Sequence, residues 1–230
     1  MRYLSLILLI IFIIGCNKEI QDEIQGDNMN KLITKDDVEI AYNYFDSNSN
    51  KGIILLHMLS RNKETYNDFA KKLQNNGYKV ISIDLRGHGK SSSDFKSFNS
   101  EDYLDMVLDV EEADKFLREK GAEKIAIIGA SIGANVALNY AVQNNINTIV
   151  MLSPGEDYRS VTTLDKITRF RNPILIVAAE DDKYAFESSK KLNSLDGNSK
   201  FIQLNGNKHG TDMLNANLES EIFDWLNKNL

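Results

Sequence analysis

Residues 124–145, KIAIIGASIGANVALNYAVQNN, pass from an apolar run into an alanine-rich segment with only GASIG between them. The first part reads as a buried strand and the second, from near Ile132, as a helix. A strand that turns directly into a helix holds its corner residue, here Ser131, in a sparsely populated backbone conformation and crowds the residues two places to either side. Gly129 and Gly133 relieve that crowding, while Ala130 and Ala134 keep the neighbourhood small. The serine hydroxyl is thereby lifted out of the sheet, where the helix N-terminus favours developing negative charge. The bland alternative is a tight turn whose serine merely caps the helix.

The rest of the chain repeats this alternation. Strand-like runs at Lys31 to Thr34, Val38 to Phe45, Gly52 to His57, Lys79 to Asp84, Lys124 to Gly129, Thr148 to Leu152, Pro173 to Ala179 and Lys200 to Leu204 are separated by helix-period segments. Those segments are Glu64 to Asn75, Glu101 to Glu119, Ile132 to Asn144, Phe186 to Asn193 and Leu214 to Asn229, with Ser100 as the expected N-cap of the second and Gly121 as its stop. The first two strands form a hairpin, and the later ones, nearly continuous in Ile, Leu and Val, are covered on both faces. The fold class is therefore α/β: a mostly parallel eight-stranded sheet with helices on both faces and reactive groups beyond the carboxyl ends of its strands.

The G-x-S-x-G corner between a strand and a helix resembles the nucleophile elbow of the α/β-hydrolase family, and the likeness extends over residues 31–230. The family's chain order of serine, acid and histidine implies His209 as the base, since His57 and His88 precede Ser131. It implies an acid from EDD after the seventh strand; alignment of Ala179 with the glycine of G-x-x-D selects Asp182, with Asp181 in reserve. Three acids in a row also read as a solvated loop, and a glycine-flanked histidine as a surface turn. Oxyanion donors follow by the same resemblance: Ile132, next to the nucleophile, and a residue of LLHMLSRN. There Leu59 is favoured, with Met58 open because it occupies a position where the family has glycine. His57 is expected to hold this loop, and Asp84, Arg86 and His88 of DLRGHGKSS to stabilise the next one, with Ser91 to Ser93 as plain loop residues. Tyr184, two places beyond Asp182, is expected to line the pocket. Only residues 153–172 separate the sixth and seventh strands, so no large lid domain and a comparatively open pocket are expected. A protease-like order of His57, Asp84 and Ser131 is the rival reading, and the helix and strand alternation speaks against its β-barrel fold.

The first sixteen residues, MRYLSLILLIIFIIGC, differ in kind. A basic start, an apolar run too short to span a bilayer and a small residue before Cys16 outline a signal peptide, and IIGC resembles the bacterial lipobox. This gives three expected parts: a signal peptide over 1–15, a lipid-anchored tether over 16–30 and a hydrolase domain over 31–230. Cys16 is the only cysteine, so no internal disulfide forms, and the expected location is extracytoplasmic, membrane-anchored through that residue. The net charge of −6 lacks basic clusters and gives no reason to expect nucleic acid. No metal constellation or dinucleotide fingerprint is read, so no cofactor is expected. The resemblance implies a serine hydrolase acting on a small-molecule ester through an acyl-enzyme; peptidase and thioesterase chemistry, or an anchored binding protein without turnover, are the alternatives. The sequence carries no signal of oligomeric state.

Overall fold

The computed structural model describes residues 30–230. The chain divides into Met1–Asn30 and Lys31–Leu230. The expected signal peptide, Cys16 and the tether as far as residue 29 lie outside the described residues.

The second unit is built on strands β1 (Lys31–Ile33), β2 (Glu39–Phe45), β3 (Lys51–Leu56), β4 (Lys79–Ile83), β5 (Lys124–Ala130) and β6 (Thr148–Leu152). A small hairpin, β7 (Asp157–Tyr158) with β8 (Val161–Thr162), precedes β9 (Ile174–Ala179) and β10 (Ser199–Leu204). Eight strands make the main sheet in the order β1-β2-β4-β3-β5-β6-β9-β10. From β4 to β10 all neighbours are parallel, while β2 runs antiparallel to both β4 and β1. This is the expected sheet. The helices are α1 (Asn67–Asn75), α2 (Ser100–Leu104), α3 (Met106–Glu119), α4 (Ile132–Ala141), α5 (Leu164–Ile167), α6 (Lys183–Leu195) and α7 (Ala216–Asn229).

The continuous apolar strands are explained by their two coats. Alternate residues point to opposite faces: Ile54, Leu56, Ile127, Ile149 and Ile176 join α3, α4 and Leu192 of α6, whereas Ile53, Leu55, Ile128, Val150 and Val177 join α1 and α7. Each such side chain, taken wholly out of water, contributes about 1.5–3 kcal/mol.

Helix ends depart from expectation for local reasons. The N-cap of α2 is Asn99, one place before Ser100: its side chain accepts from the Glu101 and Asp102 amides while Asp102 accepts from the Asn99 amide, a capping box. The backbone at Asp105, with ψ −8°, separates α2 from α3 where one helix was expected. Gly121, at φ +87°, ends α3 as expected. Helix α6 starts three residues before Phe186, so Asp182 stands at its entrance.

Candidate active site

Ser131 joins β5 to α4 with φ 53° and ψ −120°, a region costly to a residue with a Cβ, by about 1–3 kcal/mol. Hydrogen bonds hold it there: its amide donates to Leu152 C=O at 2.8 Å, and its own C=O accepts from Ala134 at 2.9 Å and Asn135 at 3.3 Å. The two glycines make room for different things. A Cβ on Gly129 would lie 2.3 Å from the Gly133 carbonyl oxygen, and one on Gly133 would lie 2.6 Å from both Leu56 and His57 carbonyl oxygens. Gly133 thus lets the first turn of α4 rest on the end of β3. The amide of Ile132, the first helical residue, has no carbonyl within the helix to which to donate.

The loop after β3 begins at His57. Its Nδ1–H donates to Met58 C=O at 2.8 Å and its Nε2 accepts the Leu85 amide at 3.0 Å, so the ring is neutral and both nitrogens serve backbone. Complete burial, outweighing the nearby Asp84, pushes its pKa down to about 4. Among the described residues the amides of Met58 and Leu59 make no backbone hydrogen bond. Asp84 is fully engaged elsewhere, accepting Lys63 N–H at 2.6 Å, Lys63 Nζ at 2.8 Å and the Lys90 amide at 2.8 Å. The rival pairing of His57 with Asp84 is therefore absent. Arg86 spans Asp36 and Asp109, and Ser91, expected as a plain loop residue, instead accepts the Ala41 amide and donates to Asp84 C=O.

Beyond β9 the three acids separate. Asp182 N–H donates to Ala179 C=O, turning its side chain toward His209, whose Nδ1–H donates to Asp182 Oδ2 at 2.6 Å. Asp181 faces Lys183 at 3.4 Å, and Glu180 accepts from Gln203. The turn after His209 is fixed by Gly210, whose amide donates to the Ser153 hydroxyl at 3.0 Å. Ser153, buried at the end of β6, has φ 52°, a second strained corner beside Ser131. A Cβ on Gly210 would lie 2.8 Å from Met58 Sδ and 3.3 Å from Ala130 Cβ. The loop carrying His209 is thus packed against both the residue before the nucleophile and the loop after β3. Met58, in place of a glycine, fills that junction.

Residues 153–173 do more than connect. The hairpin β7–β8 places the Tyr158 ring edge-on to the His209 imidazole, 6.4 Å between centroids. Burial and then the Asp182 carboxylate hold the phenol pKa well above its usual value, with the Ser131 hydroxyl pulling the other way. Tyr184, expected to line the pocket, is 50% exposed; its hydroxyl accepts the Asp157 amide and donates to the Asp157 carbonyl, and its ring meets that of Tyr158 edge-on. Ser131 itself is 7% exposed. Sequence reasoning passed over Tyr158, because SPGEDYRSV lacks the period of a helix and its turn-forming pair, Pro154 and Gly155, precedes the hairpin rather than sitting at its corner.

A family model described as serine aminopeptidase, S33 (Hydrolase_4) matches residues 47–161, half of the chain, including Ser131 but ending before Asp182 and His209. A probable alcohol acetyltransferase of Cyberlindnera fabianii is 37% identical over 87 residues, 37% of this chain and 22% of that protein. An acyl transferase of Photobacterium leiognathi is 27% identical over 122 residues, 53% of this chain and 38% of that one. The chain thus spans well under half the length of these relatives. Among solved structures, an esterase of Pyrococcus furiosus superposes with a TM-score of 0.74 at 19% identity, covering 87% of this chain and 90% of that one. Est1E of Butyrivibrio proteoclasticus, with ferulic acid bound, gives 0.74 at 17% identity over 87% and 98%. At such identities the likeness shows the fold.

Proposed function

Because the chain belongs to the serine aminopeptidase (S33) family of α/β hydrolases, we propose that it hydrolyses carboxylic esters of small molecules through an acyl-enzyme, with Ser131 as nucleophile, His209 as base and Asp182 as the acid that orients it. The observation that carries the reading is the 2.6 Å bond from His209 Nδ1–H to Asp182, beside a strained serine at a strand-to-helix corner. A proton fixed on Nδ1 leaves the Nε2 lone pair free to accept the serine proton. Ser131 Oγ then adds to the ester carbonyl, its proton passing to His209 Nε2, and the imidazolium is stabilised by Asp182. The oxyanion is met by the Ile132 amide and by Leu59, with Met58 as the other donor of that loop. Collapse returns the proton to the leaving alcohol, and water repeats the sequence to release the acid. No cofactor enters these steps.

A fluorophosphonate probe tests the assignment. Wild type is expected to label and Ser131→Ala to stay unlabelled, while His209→Ala loses turnover of p-nitrophenyl esters by about 10³-fold or more with its melting temperature retained. A wild type that never labels would favour the anchored binding protein instead. The family's description and the names of the relatives support a second reading on the same three residues: acyl transfer from a peptide, or to an alcohol rather than water. Amino-acid p-nitroanilides, and ester turnover with added alcohol, separate these from simple hydrolysis.

The N-terminal residues support an extracytoplasmic lipoprotein anchored to a membrane through Cys16, on the pattern IIGC after an apolar run. Replacement Cys16→Ser is expected to leave an unprocessed precursor that no longer takes up labelled fatty acid; unchanged uptake would refute the anchor.

A further inference from the structure

Residues 153–163 form a fixed wall at the site, and its building starts on the nucleophile helix. Asn135, completely buried on α4, donates to Gly155 C=O at 3.1 Å and Val161 C=O at 2.7 Å, and accepts the Gly155 amide at 3.1 Å. One turn on, Asn139 donates to Thr162 C=O at 2.8 Å. From outside, Tyr184 holds the Asp157 backbone by both its amide and its carbonyl, and Ser160 Oγ donates to Ser100 Oγ at 2.9 Å. Three helices, α2, α4 and α6, therefore fix one short hairpin, and a large aromatic side chain on it faces the reacting groups.

That side chain is Tyr158. Its hydroxyl donates to Ser153 C=O at 3.3 Å, its ring stands perpendicular to His209, and Tyr184 closes its outer side, 5.5 Å between centroids. Even the backbone opposite is trimmed to admit the pair: a Cβ on Gly155 would lie 2.7 Å from Tyr158 Cε2 and 2.8 Å from Tyr184 Cε1. The ring thus occupies the side on which His209 stands. In acyl transfer that side belongs to the departing alcohol, since the imidazolium must hand its proton to the alcohol oxygen.

From this geometry we propose that Tyr158 is the specificity-determining wall of the leaving-group side of the site: its ring, fixed by the β7–β8 hairpin, limits the alcohol portion of the ester. The proposal rests on the ester-hydrolase reading above. The acyl portion is left unrestricted by Tyr158. Small, unbranched alcohols leave past the rim of the ring, which stands 6.4 Å from the His209 imidazole between centroids; bulky or aromatic alcohols meet it.

The test uses the full chain and two ester series, acetates of methyl, n-butyl, benzyl and 2-naphthyl alcohol, and p-nitrophenyl esters from acetate to decanoate. In Tyr158→Ala the ratio of kcat/KM for 2-naphthyl over methyl acetate is expected to rise about tenfold or more, while the order of preference along the acyl series stays as in wild type. Tyr158→Phe keeps the ring and is expected to keep the wild-type alcohol ratio. Tyr158→Leu, which retains apolar bulk against Tyr184, serves if the alanine variant melts early, and is expected to give the same rise on a smaller scale. An unchanged alcohol ratio in folded Ala or Leu variants overturns the assignment, as does a shift confined to the acyl series or a relaxed ratio in Tyr158→Phe. Wild type without turnover of any ester in either series would defeat the hydrolase reading itself, and the assignment with it.

Discussion

A Cβ on Gly133 would press on two backbone carbonyl oxygens, at 2.6 Å each, and neither end of β3 nor the first turn of α4 can yield without moving the nucleophile. Gly133→Ala is therefore expected to cost about 1–3 kcal/mol in urea denaturation and to lower activity more than the loss of folded protein explains. Ser153 acts at a distance from the chemistry, through its hydroxyl on the Gly210 amide. Removing that acceptor in Ser153→Ala leaves a buried N–H unpaired, costing about 1–3 kcal/mol, and loosens the turn that carries His209; kcat is expected to fall about tenfold with KM little changed. These residue-scale features were unequally legible. Ser131, Gly129 and Gly133 announce themselves because a strand-to-helix corner demands small residues at fixed spacing. Asp181 and Asp182 are chemically identical in the sequence, and only the turn from Asp182 N–H to Ala179 C=O decides which carboxylate faces His209. Ser153 carries no sequence signal at all, since its role depends on a contact with a residue 57 places away.

Among the elements, the strands were readable because burial on both faces forces them to be almost wholly apolar, and the eight expected runs are the eight strands of the sheet. Helix boundaries were less so, because caps are local hydrogen-bond contests: Asn99 wins over Ser100 when its side chain reaches two amides at once. The β7–β8 hairpin was missed for a different reason. Its turn residues, Arg159 and Ser160, both have positive φ, at 56° and 73°, where Gly or Asn would ordinarily signal such a turn. What holds it is tertiary, above all the Asn135 amide on α4. Asn135→Ala strands one amide and weakens two carbonyl contacts; the expected loss is about 1–3 kcal/mol. Hydrogen exchange should reveal where the loss falls: amides of residues 155–163 are expected to exchange about tenfold faster or more, while those of β5 and β6 keep their protection. Equal acceleration across the sheet would mean that the hairpin is not separately held by this helix.

For the molecule as a whole, acid is the condition that should separate its parts. His57 is buried and neutral, with a pKa pushed down to about 4 from an ordinary 6.5, and its neighbour His88, 5.1 Å away between ring centroids, is lowered in the same direction by burial. Between these values the unfolded chain binds more protons than the folded one, so stability rises with pH across the window and falls as pH drops from 6.5 toward 4. For His57 alone the difference is on the order of 3 kcal/mol. Asp109 works against it, because burial pushes its carboxyl up and a proton gained there strengthens the fold as pH falls, while the Arg86 hydrogen bonds resist that shift. Asp36 enters only lower: Arg86 holds it down at about 2, so its contribution is intact above its ordinary 3.8 and disappears as pH falls toward 2. A plain melting curve against pH would mix all four groups. His57→Gln separates them, since the amide oxygen can still accept the Leu85 N–H without titrating and the two aspartates are untouched. The wild-type melting temperature is expected to fall between pH 6.5 and 4 more steeply than that of the variant, and the two curves to run parallel above pH 7. Because His57 ties the loop of Met58 and Leu59 to the end of β4, ester turnover should decline over the same window and recover on return to neutral pH; parallel curves throughout would show that this imidazole does not govern the acid response.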